Sequence, residues 1–467
     1  MNHMAITSRV VATSHTPAGR LLSRLVSRAL RLTSPERVET LTRALAEPRF
    51  GYLPEGRDFV VSLAKNLRRQ VDSASPNVFS TFARNLFLNE FLLAGKARDR
   101  VRARTGGYAP ELLVVSPTMR CNLKCTGCYS ANYATAGELT TAELDDLFVQ
   151  AKEVGIYFVV VSGGEPFLRS DLMDLFAKHD DMLFMVYTNG TLLSRDARAT
   201  RLAELGNVVP CISVEGFEKE TDARRGTGVY GQVLAAMESL RQAGVMFGFS
   251  ATPTSRNNEL LMSDEFIDFY VRQGSLLGWY FQYMPVGRDP DVSLMPTPEQ
   301  REYRRRRLKS IRQRKNIVVA DFWCDGALVG GCLSGGKVYL HVNSNGAVEP
   351  CVFNQFAVDN IRRKKLIDII DSPYFRYLRG RLSEAENRLR PCPIIDRPQI
   401  LRDCVEKFRL KPSQEGGDAT ITRLAPDLNR YATRLAEVME PVWEKEYQGR
   451  REVGTDFHIE RERVRKG

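Results

Sequence analysis

The chain has 467 residues, of which 43% are hydrophobic and 26% charged, and it carries a formal net charge of +11. That is a globular composition, long enough for two or three domains or for one large α/β body with appendages, and no apolar run approaches the ~18 residues a membrane-crossing helix needs. The positive charge suits an acidic partner, whether an anionic membrane surface, a phosphate-bearing substrate or nucleic acid, and chooses among them no further.

Residues 1–108 read as a helical N-terminal extension. Within the first 34 residues Arg9, Arg20, Arg24, Arg28 and Arg31 are accompanied by no acid, a composition that also suits an organellar transit peptide. In "LLSRLVSRALRL" the residues Leu21, Leu22, Leu25, Val26, Ala29 and Leu30 fall on one helical face, with Ser23, Arg24, Ser27, Arg28 and Arg31 opposite. This pattern fits a helix lying at an anionic interface and equally a solvated helix packed on the protein's own body. Further on, Phe79, Phe82, Leu86, Phe87, Phe91 and Leu92 form an apolar helical segment whose expected role is core packing.

From residue 109 to 318 six short β-type runs, "ELLVVS", "IYFVVVS", "MLFMVYT", "NVVPCISV", "VMFGFSAT" and "GWYFQYM", alternate with segments of helix length. Such alternation predicts parallel βαβ units, closing into a full or partial barrel or forming a doubly wound sheet. In both architectures the active site sits at the carboxyl ends of the strands. "TTAE" at Thr140–Glu143 is a capping-box signal for the first helix of the series. The arginine-rich run at 301–315 reads as a solvated helix face, since nothing else resembles a nucleic-acid-binding motif. Residues 319–410 are rich in Gly and Cys, and 411–467 form a charged helical tail.

The nine cysteines are odd in number and partly clustered, and no leader with a cleavage site opens the chain. A reducing, cytoplasmic setting is therefore expected, in which clustered thiols bind metal more often than they pair. Three of them, Cys121, Cys125 and Cys128, stand in "TMRCNLKCTGCYSANY", directly after the first predicted strand. A zinc site normally has four ligands, and none of the five histidines is near. A redox pair of Cys125 and Cys128 would leave Cys121 unexplained. A cubane iron–sulfur cluster on three thiolates accounts for all three and keeps its fourth iron free for an exogenous ligand.

"CNLKCTGC" resembles the CxxxCxxC signature of the radical S-adenosylmethionine (SAM) enzymes. The resemblance covers about residues 111–400. It implies a partial (β/α)6 TIM-like barrel, a [4Fe–4S] cluster on Cys121, Cys125 and Cys128, and SAM on the open iron. Reductive cleavage of SAM to a 5′-deoxyadenosyl radical would follow, with hydrogen abstraction from an unactivated carbon and a flavodoxin- or ferredoxin-type reductant. Gly163, Gly164, Glu165 and Pro166 match the family's GGEP element at the methionine amino group. Two glycines would let the backbone come close while Glu165 accepts from the ammonium. Asn189 in "YTNG" and Ser213 in "ISVEG" match further cofactor elements. Arg224 or Arg225 would neutralise the cofactor carboxylate. Where the family often has an aromatic residue before the third cysteine this chain has Gly127, with Tyr129 two positions on.

"CLSGGKVYLHVNSNGAVEPC", from Cys332 to Cys351, is similar to the hallmark of SPASM and twitch domains, which hold auxiliary iron–sulfur clusters in a β-hairpin. "YLHVNSNGAVEP" itself reads as a hairpin around Asn345-Gly346. The resemblance implies one auxiliary cluster on Cys332, Cys351 and Cys392, with a fourth ligand from Cys324, Cys404 or a group other than cysteine. Cys211, within an apolar strand, reads as an unligated buried thiol. For the substrate, the basic amphipathic N-terminus and the Phe-rich segment favour a membrane lipid chain reached by peripheral contact; the alternative, which the C-terminal domain suggests, is a peptide or protein, and the competing non-enzymatic reading is an iron–sulfur electron-transfer protein.

Overall fold

The computed structural model describes residues 31–50, 53–194 and 197–448. All six expected strands are present: β1 (Leu112–Val115), β2 (Phe158–Val161), β3 (Leu183–Thr188), β4 (Val208–Val214), β5 (Gly248–Ala251) and β6 (Leu277–Tyr280). They pair in parallel in chain order. Two more parallel strands extend the sheet. β7 (Val318–Asp321) adds beside β6, and β8 (Tyr339–Val342) adds beside β1. β9 (Ala347–Glu349) then turns back antiparallel on β8, as the hairpin reading requires. The short β10 (Phe356–Ala357) pairs with β12 (Lys411–Pro412), and β11 (Asp359–Asn360) closes the series on β9.

The cysteine hairpin is therefore an extension of the barrel sheet itself, not a layer apart. A four-residue run such as "VVAD" behind a long helix carries too little pattern to be read as a strand, which is why β7 was not foreseen. The two ends of this curved sheet are not hydrogen-bonded to each other among the described residues. Side chains bridge part of the gap: Phe322, just past β7, meets Tyr339 at the start of β8 with ring centroids 6.0 Å apart.

Parallel strands covered on both faces read as continuous apolar runs. Leu113, Val115, Val159, Val161, Phe184 and Val186 pack outward under the helices. Leu112, Val114, Phe158, Val160, Met185, Tyr187 and Cys211 face the barrel interior. The N-terminal helices Pro54–Ser73 and Pro76–Ala83 close the lower end: Leu67, Val71, Val78, Phe79 and Phe82 pack on Leu183, Val209, Met246 and Leu276 at the starts of the strands. Burying each such side chain contributes roughly 1.5–3 kcal/mol. The core role expected of Phe79 and Phe82 thus has a location. The amphipathic run at 21–30 lies outside the described residues.

The capping box forms as expected, with Glu143 N–H donating to Thr140 Oγ1 and Thr140 N–H to Glu143 Oε2. The basic helix Pro298–Arg314 corrects the sequence reading. Arg301 and Arg304 are completely buried and Arg305 and Arg312 nearly so. Arg301 pairs with Asp396 at 2.6 Å, Arg304 with Asp321 at 2.7 Å and Arg312 with Asp325 at 2.5 Å. Arg305 reaches Glu446 at the end of the C-terminal helix Ala425–Glu446. A charge run inspected by itself cannot show the carboxylates that other segments bring to it.

Candidate active site

The loop leaving β1 is irregular from Ser116 to Thr140, so its backbone groups must find partners in other segments. Gly164 N–H donates to the Thr118 carbonyl at 3.0 Å and Glu165 N–H to the Arg120 carbonyl at 2.8 Å. From the segment after β4, Arg224 accepts from Thr126 N–H and returns a bond from Nε to the Thr126 carbonyl. From the segment after β6, Arg288 donates through N–H to Cys128 and through Nη1 to the Cys125 carbonyl, each at 3.0 Å. Three strand ends thus hold the loop that carries Cys121, Cys125 and Cys128.

Glycine is required where these segments meet. A Cβ on Gly164 would lie 2.2 Å from the Arg120 carbonyl oxygen, and one on Gly287 2.2 Å from that of Cys128. Gly127 has φ +63°, and a Cβ there would lie 2.5 Å from the Tyr283 ring. The place of the missing aromatic residue beside the third cysteine is therefore taken by Tyr283, brought in from the end of β6. The sequence places Tyr283 in the strand-end segment "YMPVG", but nothing in its own neighbourhood ties it to Gly127.

Cys121, Cys125, Cys128, Tyr129, Gly163, Gly164, Asn189, Ser213, Arg224 and Arg225 all line one cavity of about 250 Å³. Glu165 and Pro166 do not. The Glu165 carboxylate is fully buried and accepts from Phe167 N–H, Thr188 Oγ1 and Asn189 N–H at 2.8–3.1 Å. It braces the TNG turn. Burial pushes its carboxyl up, against those hydrogen bonds. Arg224 and Arg225 both bind the buried Glu215, at 2.6 and 2.5 Å, which leaves one net positive charge beside Cys125. Burial raises the Cys121 thiol to about 11, so ligation there would displace a proton.

The same cavity is lined by Cys332, Cys351 and Cys392, while Cys324, Cys404 and Cys211 lie off its wall. Between the two cysteine sets the wall is aromatic. Trp279, Phe281 and Phe322 stack at interplanar angles of 17–23°. Among the described residues no Asp, Glu, His or Lys lines the cavity, nor do three such groups or cysteines converge on a point that would hold a single ion. A cubane cluster, ligated iron by iron, needs no such convergence.

Two further connections were not legible in the sequence. Ser116 Oγ meets His341 Nε2 at 2.8 Å, His341 Nδ1 meets Glu349 at 2.6 Å, and Tyr133 and Asn343 donate to the same carboxylate. This network is sealed off the cavity and joins β1, β8, β9 and the first cysteine loop. Tyr129, whose hydroxyl lies 2.7 Å from Ser162 Oγ, has its carbonyl capped by Gln355 and Gln414, which donate from 2.9 and 3.3 Å.

The Radical SAM superfamily is matched over residues 115–253 and SPASM, an iron-sulfur cluster-binding domain, over residues 332–404. An AdoMet-dependent heme synthase of Methanosarcina barkeri is 27% identical over 328 residues, 63% of this chain and 91% of that protein. The mycofactocin maturase MftC of Mycobacterium ulcerans is 30% identical over 290 residues, 58% of this chain and 77% of that one. Among solved structures, Streptococcus suis SuiB bound to precursor peptide SuiA superposes with a TM-score of 0.53 at 19% identity, covering 74% of this chain and 81% of that one.

Proposed function

Because this chain belongs to the radical SAM superfamily and carries the SPASM domain, we propose that it is a maturase acting on a peptide. It is an enzyme whose cofactors are a [4Fe–4S] cluster, SAM and further iron–sulfur chemistry in the SPASM region. Cys121, Cys125 and Cys128 would hold the first cluster, which with SAM supplies a 5′-deoxyadenosyl radical when bound and draws its electron from a flavodoxin- or ferredoxin-type donor. Around it, Asn189 and Ser213 offer hydrogen bonds to the polar parts of SAM. The residual charge of the Arg224–Arg225–Glu215 cluster suits its carboxylate. The stacked aromatic wall excludes water from the place where the substrate carbon would sit.

The observation that carries the peptide reading is a pair of donors without acceptors on that wall. Trp279 Nε1–H and Gln282 Nε2–H are buried and have no hydrogen-bond partner among the described residues. Arg304 Nη2 donates to Gln282 Oε1 at 2.8 Å and so fixes which end of the amide is spare. Leaving such a donor unsatisfied costs about 1–3 kcal/mol. Peptide carbonyls would satisfy both donors once the wall shifts to admit them, since neither nitrogen has accessible surface in this structure, whereas the aliphatic chain of a lipid would satisfy neither.

The mycofactocin maturases among the relatives support the same reading, and SuiB, a neighbour in fold, is seen with a precursor peptide. A membrane-lipid substrate finds no support in the relatives described. Among the described residues no helix is long and apolar enough to cross a membrane. Mass spectrometry of peptides, lipids and tetrapyrroles from cells with and without the Cys121→Ala variant tests the proposal. A mass change in a peptide is the expected result, and a change confined to lipids or tetrapyrroles would overturn it.

A further inference from the structure

Among the described residues the three most exposed large hydrophobic side chains are Leu32, Leu41 and Leu45, at 83, 53 and 77%. They stand on, or just before, the helix Pro35–Phe50. With ~3.6 residues per turn, Arg37, Leu41, Ala44 and Leu45 share one arc of about 100°, and all four are exposed. Val38 and Ala46 are buried on another side. This helix therefore has two apolar sides and uses only one of them for its own fold. Glu36, Glu39 and Glu47 fall outside the exposed arc.

Those three acids are already engaged. Glu39 pairs with Lys65 at 2.9 Å and with Arg43 at 3.4 Å, and Glu47 pairs with Arg57 at 2.9 Å. Glu36 is hydrogen-bonded to its own N–H and to Ser34 at the helix start. The approach to the helix is pinned as well. Arg68, on the helix Pro54–Ser73, donates to the Thr33 carbonyl at 2.5 Å and to the Arg31 carbonyl at 3.1 Å, with Asp72 balancing it at 2.6 Å. Leu32, between these two anchors, points to solvent. Upstream, residues 1–34 contain Arg9, Arg20, Arg24, Arg28 and Arg31 and no acid. An apolar face without a protein neighbour thus adjoins, in sequence, a run of cations without counter-charges of its own.

We propose that the outer face of the helix Pro35–Phe50, made of Leu41, Ala44 and Leu45 with Leu32 before it, docks the protein on a bilayer that carries anionic headgroups. The leucines enter the boundary of the acyl chains. Arg37 and the arginines of the first 34 residues meet the phosphates, for which the guanidinium fork is suited. Charge argues against a second copy of this chain as the occupant, because two such faces would set cation against cation while the nearby acids are engaged elsewhere. The docking helix is tied through Glu39–Lys65 to the helix that closes the lower end of the barrel, whereas the first cysteine loop leaves the carboxyl end of β1. Docking therefore concerns where the enzyme works, and it stands whatever the class of molecule that enters the cavity.

The test is flotation of the full chain, reconstituted without oxygen, with vesicles of phosphatidylcholine alone and of phosphatidylcholine mixed with phosphatidylglycerol. The protein should float with the mixed vesicles and stay behind with the neutral ones. Leu41→Asn/Leu45→Asn should lower the bound fraction roughly ten-fold and Arg37→Glu by a smaller factor, with circular dichroism and 5′-deoxyadenosine formation unchanged. Should the double variant lose its fold, Leu45→Asn alone, at the more exposed position, is scored in the same way. No wild-type binding to the mixed vesicles, binding undiminished in the leucine variant, or equal binding to neutral vesicles overturns the proposal. So does light scattering that shows a wild-type dimer dissolved by the leucine variant, since the face would then belong to a second copy.

Discussion

The two cysteine sets that share the cavity are brought together by different means. Cys121, Cys125 and Cys128 lie within a single loop, and neighbouring loops hold that loop through close backbone contacts that only glycine permits. Cys332 and Cys351 flank the β8–β9 hairpin, and Cys392 joins them from a later segment that relies on buried charge. Asp396 accepts from Cys392 N–H at 2.9 Å and is itself held by Arg301, which also donates to the Trp323 and Leu389 carbonyls. One site is set by steric fit and the other by electrostatics, so they should break separately.

The largest effect is expected for Arg301→Ala, which strands the buried Asp396 and should cost about 3–5 kcal/mol of stability. Urea unfolding would give the loss, and iron analysis should show the auxiliary cluster depleted with the first intact. Equal depletion of both clusters would erase the distinction between the two sites. Next comes Gly164→Ala, whose Cβ must displace the Arg120 carbonyl. An ångström-scale shift of the first cysteine loop should lower 5′-deoxyadenosine formation by ~100-fold or more, with the auxiliary cluster signal unchanged.

Between the two sites, Trp279→Phe removes one donor and keeps the ring. The apparent KM for the peptide substrate should rise roughly five- to ten-fold, about 1 kcal/mol, with both clusters assembled normally. The smallest effect belongs to the outer seam, where Glu143 and Arg362 pair at 2.6 Å. The Arg362 hydrogen bond, helped by Thr140 N–H, holds the Glu143 carboxyl down at about 2. A depressed carboxyl stabilises the fold above its unfolded value, and that gain disappears as pH falls toward 2. Glu143→Gln should therefore lower stability by less than ~1 kcal/mol near neutrality, with thermal melts of the two proteins converging in acid.

What was legible in the sequence follows the same division. The cysteine loop, the glycines opposite it and the six strands are local patterns, and each was readable from a handful of neighbouring residues. The roles of Arg301, Arg304 and Tyr283 are not local, because their partners Asp396, Asp321 and Gly127 lie 17 to 156 positions away in the chain. Glu165 lies between the two cases: its motif is plain in the sequence, but which way its carboxylate turns is decided by the TNG loop that folds against it.

The capping of the Tyr129 carbonyl by Gln355 and Gln414 has a consequence for biosynthesis. Those two amides are translated more than 200 residues after the peptide they secure. While the chain is still on the ribosome, the stretch following Cys128 lacks this latch. The first cysteine loop therefore gains its final enclosure only after residues 355 and 414 have emerged and docked.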